Sequence, residues 1–194
     1  MFLVTLVLAI VVGWLRGGRL GRLAGLPLRW VVLLPVPFVL RAMLLHARAG
    51  DVALLTQWAP VLQALAYGLL VVLSAVNLHL PGSSFLLAGT VANALVILAN
   101  GGRMPVSEAA IHIAAGSGER FAALAALYGE QSLTHQLLTP ETRLPWLADI
   151  LPLPRPFPFP SVASPGDVFI AVGLFWLVVR SMGAVGTRAA RGAV

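Results

Sequence analysis

The chain has 194 residues, of which 59% are hydrophobic and only 10% are charged, against the roughly one-quarter charged residues of soluble domains. With a mean hydropathy of +0.91, this composition excludes an ordinary water-soluble domain and indicates an integral membrane protein. All 13 basic residues are arginine and the net charge is +6. Beside apolar segments, such arginines are expected to contact membrane lipids and to report orientation, not to bind nucleic acid.

Five apolar segments follow one another along the chain, each near the length that a bilayer helix needs. They cover residues 1–15, 30–45, 59–76, 84–99 and 168–185. The first is predicted to be a retained span, because no basic region precedes it and no small-residue cleavage site follows it. Pro35 and Pro37 are predicted to bend the second span or to unwind a turn of it. The predicted fold class is therefore all-α, a single transmembrane domain of about five helices.

Arginines mark two regions of the predicted topology. Four of them crowd the first connection, and two more lie in the tail: Arg16, Arg19, Arg22 and Arg29, then Arg188 and Arg191. With five spans, both regions lie on the same side of the membrane, which the positive-inside rule makes cytoplasmic. The N-terminus and the long segment 100–167 are then expected on the outer side.

The segment 100–167 contains six of the seven acidic residues. Two short helices are predicted in it, one capped by Ser107 and one capped by Ser117 that runs to about Leu138. Residues 151–160 read LPLPRPFPFP, and alternating proline there favours an extended polyproline strap without helix or ladder hydrogen bonds. We expect this strap to return the chain to the last span.

The run NGGRMPVS, from Asn100 to Ser107, ends the fourth apolar segment. Together with the stretch from His135 to Asp149 and with Gly166–Asp167, it resembles a bacterial multi-pass membrane family known only as a domain of unknown function. The resemblance covers nearly the whole chain. It implies a bacterial plasma-membrane location and a similar helical fold, and it supplies neither an activity nor a cofactor.

A ligand-binding role is one hypothesis for the motif residues Asn100, Gly101, Gly102 and Arg103, helped by Arg143. Two glycines permit unusual backbone angles, and a guanidinium beside them suits an anionic head group or a quinone oxygen. The alternative is a helix C-cap followed by an interfacial anchor. Asn77 and Asn93, in or beside the spans, are expected to form hydrogen bonds between helices.

Asp149 and Asp167 are the candidate catalytic pair, because two carboxylates that share a proton can activate water. Their placement is loosely similar to the C-terminal part of the lipoprotein signal peptidases, although the asparagine-rich motifs of those enzymes are missing. The alternative is structural: Asp167 caps the last helix, and Asp149 pairs with Arg143 or Arg155.

Metal binding is weakly indicated. Glu108 and His112 share a helical face, and His135 or Asp149 would have to complete the site, but no fixed metal-binding spacing is present. We therefore expect no metal and no cofactor. The favoured function is a non-enzymatic membrane-complex subunit, or a component that binds a lipid, a quinone or another small molecule, with partner subunits in the membrane. A membrane-embedded aspartic hydrolase using Asp149 and Asp167 is the alternative.

Overall fold

The computed structural model describes residues 1–47, 53–116, 118–129 and 132–183. In chain order the elements are α1 (Phe2–Leu15), α2 (Pro35–His46), α3 (Ala53–Val76), α4 (Ser83–Ala99), β1 (Met104–Val106), α5 (Glu108–Ala115), α6 (Glu119–Tyr128), β2 (His135–Leu137), β3 (Leu151–Leu153), β4 (Ser161–Ala163) and α7 (Pro165–Met182). Short 3₁₀ turns lie at Leu20–Gly25, Val31–Leu33 and Pro145–Leu147.

Five apolar helices pack side by side in the order α2, α3, α4, α7, α1. Two of them, α3 and α7, are long and apolar enough to cross a membrane, as judged by length and composition alone. The apolar helices α1, α2 and α4 are shorter. Since α2 packs mainly on α3, the row leaves a space between α2 and α7, and the candidate site lies there.

The prolines of the second apolar segment begin a helix and do not bend one. Trp30 adopts a left-handed conformation (φ 57°), a single 3₁₀ turn follows, and α2 starts at Pro35. Proline fits the first turn of a helix because its missing N–H has no helical partner there. Of the two predicted outcomes for this span, the bend is wrong, and the 3₁₀ turn at Val31–Leu33 corresponds to the unwound turn. In α3 the described helix already includes Ala53, six residues before the predicted boundary.

Glycines bring α4 and α7 into close contact. A Cβ on Gly89 would overlap the carbonyl oxygen of Gly166, and a Cβ on Gly173 would lie 2.7 Å from the carbonyl oxygen of Gly82. Small residues at such positions let two helix backbones approach, which is common among helices in membranes. The close contact places Asn93 of α4 directly beside the start of α7.

Residues 100–164, between α4 and α7, form a mixed unit that we call the cap. Strand β1 pairs in parallel with β2, and Val106 of β1 also bridges to Asp149. Strands β3 and β4 form an antiparallel pair. The protein is mostly helical, but the prediction of an all-α fold is wrong for the cap.

Two local predictions in the cap also need correction. Helix α6 ends at Tyr128 and not near Leu138. The backbone N–H of Leu138 donates instead to the carbonyl of Val106, beside β1. The predicted polyproline strap is partly a strand pair: Pro152 lies opposite Val162, and the neighbouring Ile150 N–H donates to the sheet instead.

The predicted helix caps have different outcomes. Ser107 caps α5 as predicted, since its hydroxyl accepts a hydrogen bond from the backbone N–H of Ala110. Ser117 lies outside the described residues. So do the last residues predicted for the fifth span and the tail arginines Arg188 and Arg191.

Candidate functional site

A cavity of about 490 Å³ lies between α2, α3, α4 and α7. This volume is within the range of small-molecule sites, roughly 300–1,000 Å³. Most of its walls are apolar. The apolar side chains that line it include Leu28, Val31, Leu34, Phe38, Leu70, Leu73, Leu86, Ile170, Leu174 and Leu177. The cavity therefore suits the hydrocarbon part of a ligand.

Polar side chains line the cavity at the end nearer the cap: Arg41, Tyr67, Thr90, Asn93 and Asp167. The guanidinium carbon of Arg41 lies 4.6 Å from the centroid of the Tyr67 ring, a cation–π contact. Its Nη1 atom is buried and has no hydrogen-bond partner among the described residues. A buried donor of this kind is costly unless a ligand or water accepts from it.

Asp167 belongs to a closed hydrogen-bond network. Its Oδ1 accepts from Asn93 Nδ2 at 2.8 Å, and its Oδ2 accepts from the backbone N–H of Ser164 at 3.2 Å. Ser164 is the N-cap of α7: its hydroxyl donates to Asn93 Oδ1 at 2.8 Å and accepts from the N–H of Asp167 at 3.0 Å. Asp167 is thus the third residue of a capping box, not the N-cap itself. Asn93 links two helices, as predicted.

Asp149 lies in the cap beside His135, with their nearest charged atoms 3.9 Å apart. Burial, and then the positive charge of Arg41, lower the pKa of His135 from 6.5 to about 3. Burial, and then the negative charge of Asp167, raise the pKa of Asp149 well above its ordinary value, although Arg41 opposes the shift. At neutral pH the histidine is uncharged, so this contact is not an ion pair. Nδ1 of His135 lies 2.8 Å from the hydroxyl of Thr134 instead.

Gln63 is fully buried on α3, one helical turn before Tyr67. Neither its amide nitrogen nor its amide oxygen has a hydrogen-bond partner among the described residues, and the same holds for Oδ1 of Asp149. With Arg41 Nη1, four of the five such buried atoms in the described chain lie in the cap or in the cap-facing half of α2 and α3. Buried polar atoms without a partner, gathered in one region, suggest that a ligand binds there.

The NGG turn is held together internally. The amide nitrogen of Asn100 donates to the carbonyls of Val96 and Arg143, and its amide oxygen accepts from the N–H of Arg143 at 2.9 Å. Gly102 needs its positive φ of 87° and packs on Pro60 of α3, where a Cβ would not fit. The motif thus closes the turn from α4 to β1 and ties it to residue 143.

Neither Arg103 of that motif nor Arg143, predicted to act with it, lines the cavity. Arg143 is exposed, and Arg103 is half-buried. Gly101 is exposed in the same turn with a φ of 69°. The structure therefore separates the predicted ligand-binding residues from Asp167, which does line the cavity.

The residues considered for a metal site do not come together. His112 stacks on Phe121, with ring centroids 3.9 Å apart, while His135 contacts Asp149. Within the described ranges, no group of three or more His, Asp or Glu side chains could hold a metal ion.

Sequence reasoning missed Arg41 and Tyr67, which line the cavity, and the buried Gln63 one turn before Tyr67. A signal was present for Arg41 and Gln63, because an arginine or a glutamine inside an apolar segment is expensive in a membrane and usually has a function. Arg41 lies within the second predicted span, and Gln63 lies within the third.

The model of a family of unknown function, DUF5317, matches residues 25–179 of this chain. An uncharacterized protein of Thermotoga maritima is 26% identical over 174 residues, which cover 90% of this chain and 85% of that protein. No solved structure matches. The matched range contains every polar residue at the cap end of the cavity. That the NGGRMPVS run marks the family remains a prediction.

Proposed function

The chain belongs to the DUF5317 family of unknown function, and we propose that it is a membrane protein that binds an amphipathic small molecule between its helices. The observation that carries the proposal is the cavity of about 490 Å³, whose walls are mostly apolar and whose cap end contains the side chains of Arg41 and Asp167. Ligand sites commonly combine apolar walls with a few polar groups that fix orientation. No catalytic function is needed to explain this arrangement.

The membrane part of the proposal adds three spans, α1, α2 and α4, to the two helices of sufficient length. Large apolar side chains on the helices are about half exposed, among them Val7, Leu8, Leu95, Leu98 and Val172. Lipid is the environment that accepts such a surface without cost. With the arginine-rich connection on the cytoplasmic side, the N-terminus and the cap lie outside the plasma membrane of a bacterium.

The length of the cavity suits a hydrocarbon chain. Tyr67 of α3 and Asn77, which directly follows α3, both line the cavity; they are ten residues apart, which corresponds to about 15 Å along the helix axis. At the end away from the cap, the side chain of Asn77 binds the backbone of Arg29 and so fixes the 28–34 stretch that closes the cavity. A ligand would place its polar end at Arg41 and its chain toward Trp30.

Arg103 and Arg143 keep a separate role in the proposal. Both lie at the edge of the cap near the end of α4, where a lipid head group or a partner subunit would meet a guanidinium. The NGG turn holds the backbone of Arg143 in place while its side chain stays exposed. A membrane partner bound there would be lost in the double variant R103A/R143A and retained in R16A.

The test of the main proposal is the content of the purified protein. The full chain is extracted in a mild detergent, and bound small molecules are measured by mass spectrometry after solvent extraction. We expect about one amphipathic molecule per chain, which Leu70→Trp displaces by filling the cavity. Leu65→Trp is the matched control, because Leu65 is exposed on the same helix. A ligand-free protein, or equal loss in both variants, would contradict the proposal.

An aspartic hydrolase is the second candidate, favoured by one observation. Burial, and then the negative charge of Asp167, raise the pKa of Asp149 well above its ordinary value. One acid and one carboxylate are the groups such an enzyme needs. Against it, both oxygens of Asp167 accept hydrogen bonds from the protein, and Asp149 does not line the cavity.

Hydrolysis is tested with a mixture of membrane peptides and lipids. If the second candidate is right, the protein cleaves a component of the mixture, and D149N and D167N each abolish cleavage while E141Q, at an exposed position of the cap, does not. If no component is cleaved, or if cleavage survives in either aspartate variant, the pair is not catalytic.

A further inference from the structure

The cavity contains few charges, and they are arranged in a specific way. Among the described residues its charged side chains are Arg29, Arg41 and Asp167. Arg29 belongs to the end away from the cap, where its backbone is bound to Asn77. At the cap end, one guanidinium and one carboxylate therefore face the same space.

Among the polar side chains at the cap end, Thr90, Asn93 and Asp167 are hydrogen-bonded within the protein. Asn93 and Asp167 bind each other and Ser164, and the hydroxyl of Thr90 donates to the carbonyl of Leu86 at 2.7 Å. Arg41 Nη1 is the polar atom of this cavity wall that is buried without a partner in the described chain. The vacant position is a donor, so the ligand must supply an acceptor.

We infer that the polar end of the ligand is an uncharged hydrogen-bond acceptor, such as a carbonyl or an ester, held by Arg41; the inference rests on the proposed function. The charges of Arg41 and Asp167 already balance. A phosphate or carboxylate head would add a net negative charge next to Asp167, in a poorly solvated space where charge is costly. An uncharged carbonyl accepts from Arg41 without disturbing that balance.

Trp30 makes the inference measurable, because it lines the cavity near the end away from the cap. The other four tryptophans, Trp14, Trp58, Trp146 and Trp176, do not line it. A probe whose chain ends in bromine quenches a nearby tryptophan, so a ligand with its head at Arg41 would quench Trp30. The variant Trp30→Phe gives the background from the remaining four.

Three probes with the same twelve-carbon chain separate the head groups at neutral pH: methyl ω-bromolaurate, ω-bromododecyl phosphate and ω-bromododecylammonium. In the delipidated full chain we expect the ester to quench Trp30 at about tenfold lower concentration than either charged probe. In Arg41→Met the ester should bind about tenfold more weakly, the loss expected for a hydrogen bond from a charged donor. Arg41→Lys, which keeps a charged donor, should fall between.

Arg16→Met is the control, because Arg16 is exposed and lies outside the cavity. If the phosphate binds as tightly as the ester, or if quenching is indifferent to Arg41, the uncharged head group is wrong while the cavity stands. If no probe quenches Trp30 in a folded protein, the proposed function itself fails.

Discussion

Two polar clusters are buried at the cap end of this protein, and they differ in how completely they are hydrogen-bonded. Around Asp167, each carboxylate oxygen and both ends of the Asn93 amide have protein partners. Around Gln63, both amide atoms lack a partner among the residues that the structure describes, as do Nη1 of Arg41 and Oδ1 of Asp149.

This difference separates buried polar groups that stabilise the fold from buried polar groups that are available to a ligand. A complete network stabilises the fold, and it joins α4 to α7 where glycines bring them together. An incomplete one costs free energy in the empty protein, and a bound ligand that supplies a missing partner would offset this cost. Asp167, one of the two aspartates in the alternative catalytic hypothesis, belongs to the first kind.

The largest expected effect comes from crowding the complete cluster. In Gly166→Val, the new Cβ would overlap Asn93 Oδ1 and would lie 2.8 Å from the carbonyl oxygen of Gly89. We expect a loss of about 3 kcal/mol in the free energy of unfolding, or no folded protein. Thermal unfolding in detergent measures it. Gly21→Val is the control, since a Cβ there meets nothing within 4 Å. Equal melting temperatures would disprove the close packing.

A smaller loss is expected when one member of the complete cluster is removed. Ser164→Ala deletes the N-cap of α7 and leaves Asn93 Oδ1 without its donor. The expected cost is about 2 kcal/mol in the free energy of unfolding. Ser84→Ala, at an exposed position of α4, is the matched control and should change little. A cost no greater than that of the control would show that the network is not stabilising.

The incomplete cluster predicts a change of opposite sign. In the ligand-free protein, Gln63→Leu removes two buried atoms that have no partner, so we expect the free energy of unfolding to rise by about 1 kcal/mol. Gln57→Leu, at an exposed position of the same helix, is the control. Chemical or thermal unfolding of delipidated protein measures both. A clear destabilisation by Gln63→Leu alone would mean that its amide is paired after all.

The last prediction concerns the dependence of stability on pH. The pKa of His135 is lowered from 6.5 to about 3 in the folded protein. Between these two pH values His135 is protonated in the unfolded chain but not in the folded one. Stability from this group is therefore complete above pH 6.5 and is lost as the pH falls toward 3. His135→Gln should flatten that acid decline in melting temperature.

Asp149 acts in the reverse direction, and this provides a check. Its pKa is raised, so its carboxyl favours the folded state most at low pH and loses this effect as the pH rises above 3.8 toward the folded value. Asp149→Asn should thus improve stability at the alkaline end and not at the acid end. His46→Gln, at an exposed position of α2, should change neither limb. An unchanged acid limb in His135→Gln would contradict the buried, uncharged histidine.

Sequence alone located the apolar segments, because a run of apolar residues is visible in the local composition. Each of the five predicted segments folds largely as a helix, and Ser107 caps α5 as its position suggested. The helical content and family membership were therefore accessible without coordinates. Capping and apolar run length depend on neighbours in sequence, which a single chain displays directly.

Tertiary structure decided everything that depends on distant pairing. The strands of the cap form because residues 104–106 lie between 135–137 and 149, contacts that no local pattern predicts. The same holds for the site. Asn93 meets Asp167 across 74 positions of sequence, and Arg41 stacks on Tyr67 from another helix. Sequence determined which polar residues lie in apolar segments; only packing decided which of them are paired and which still lack a partner.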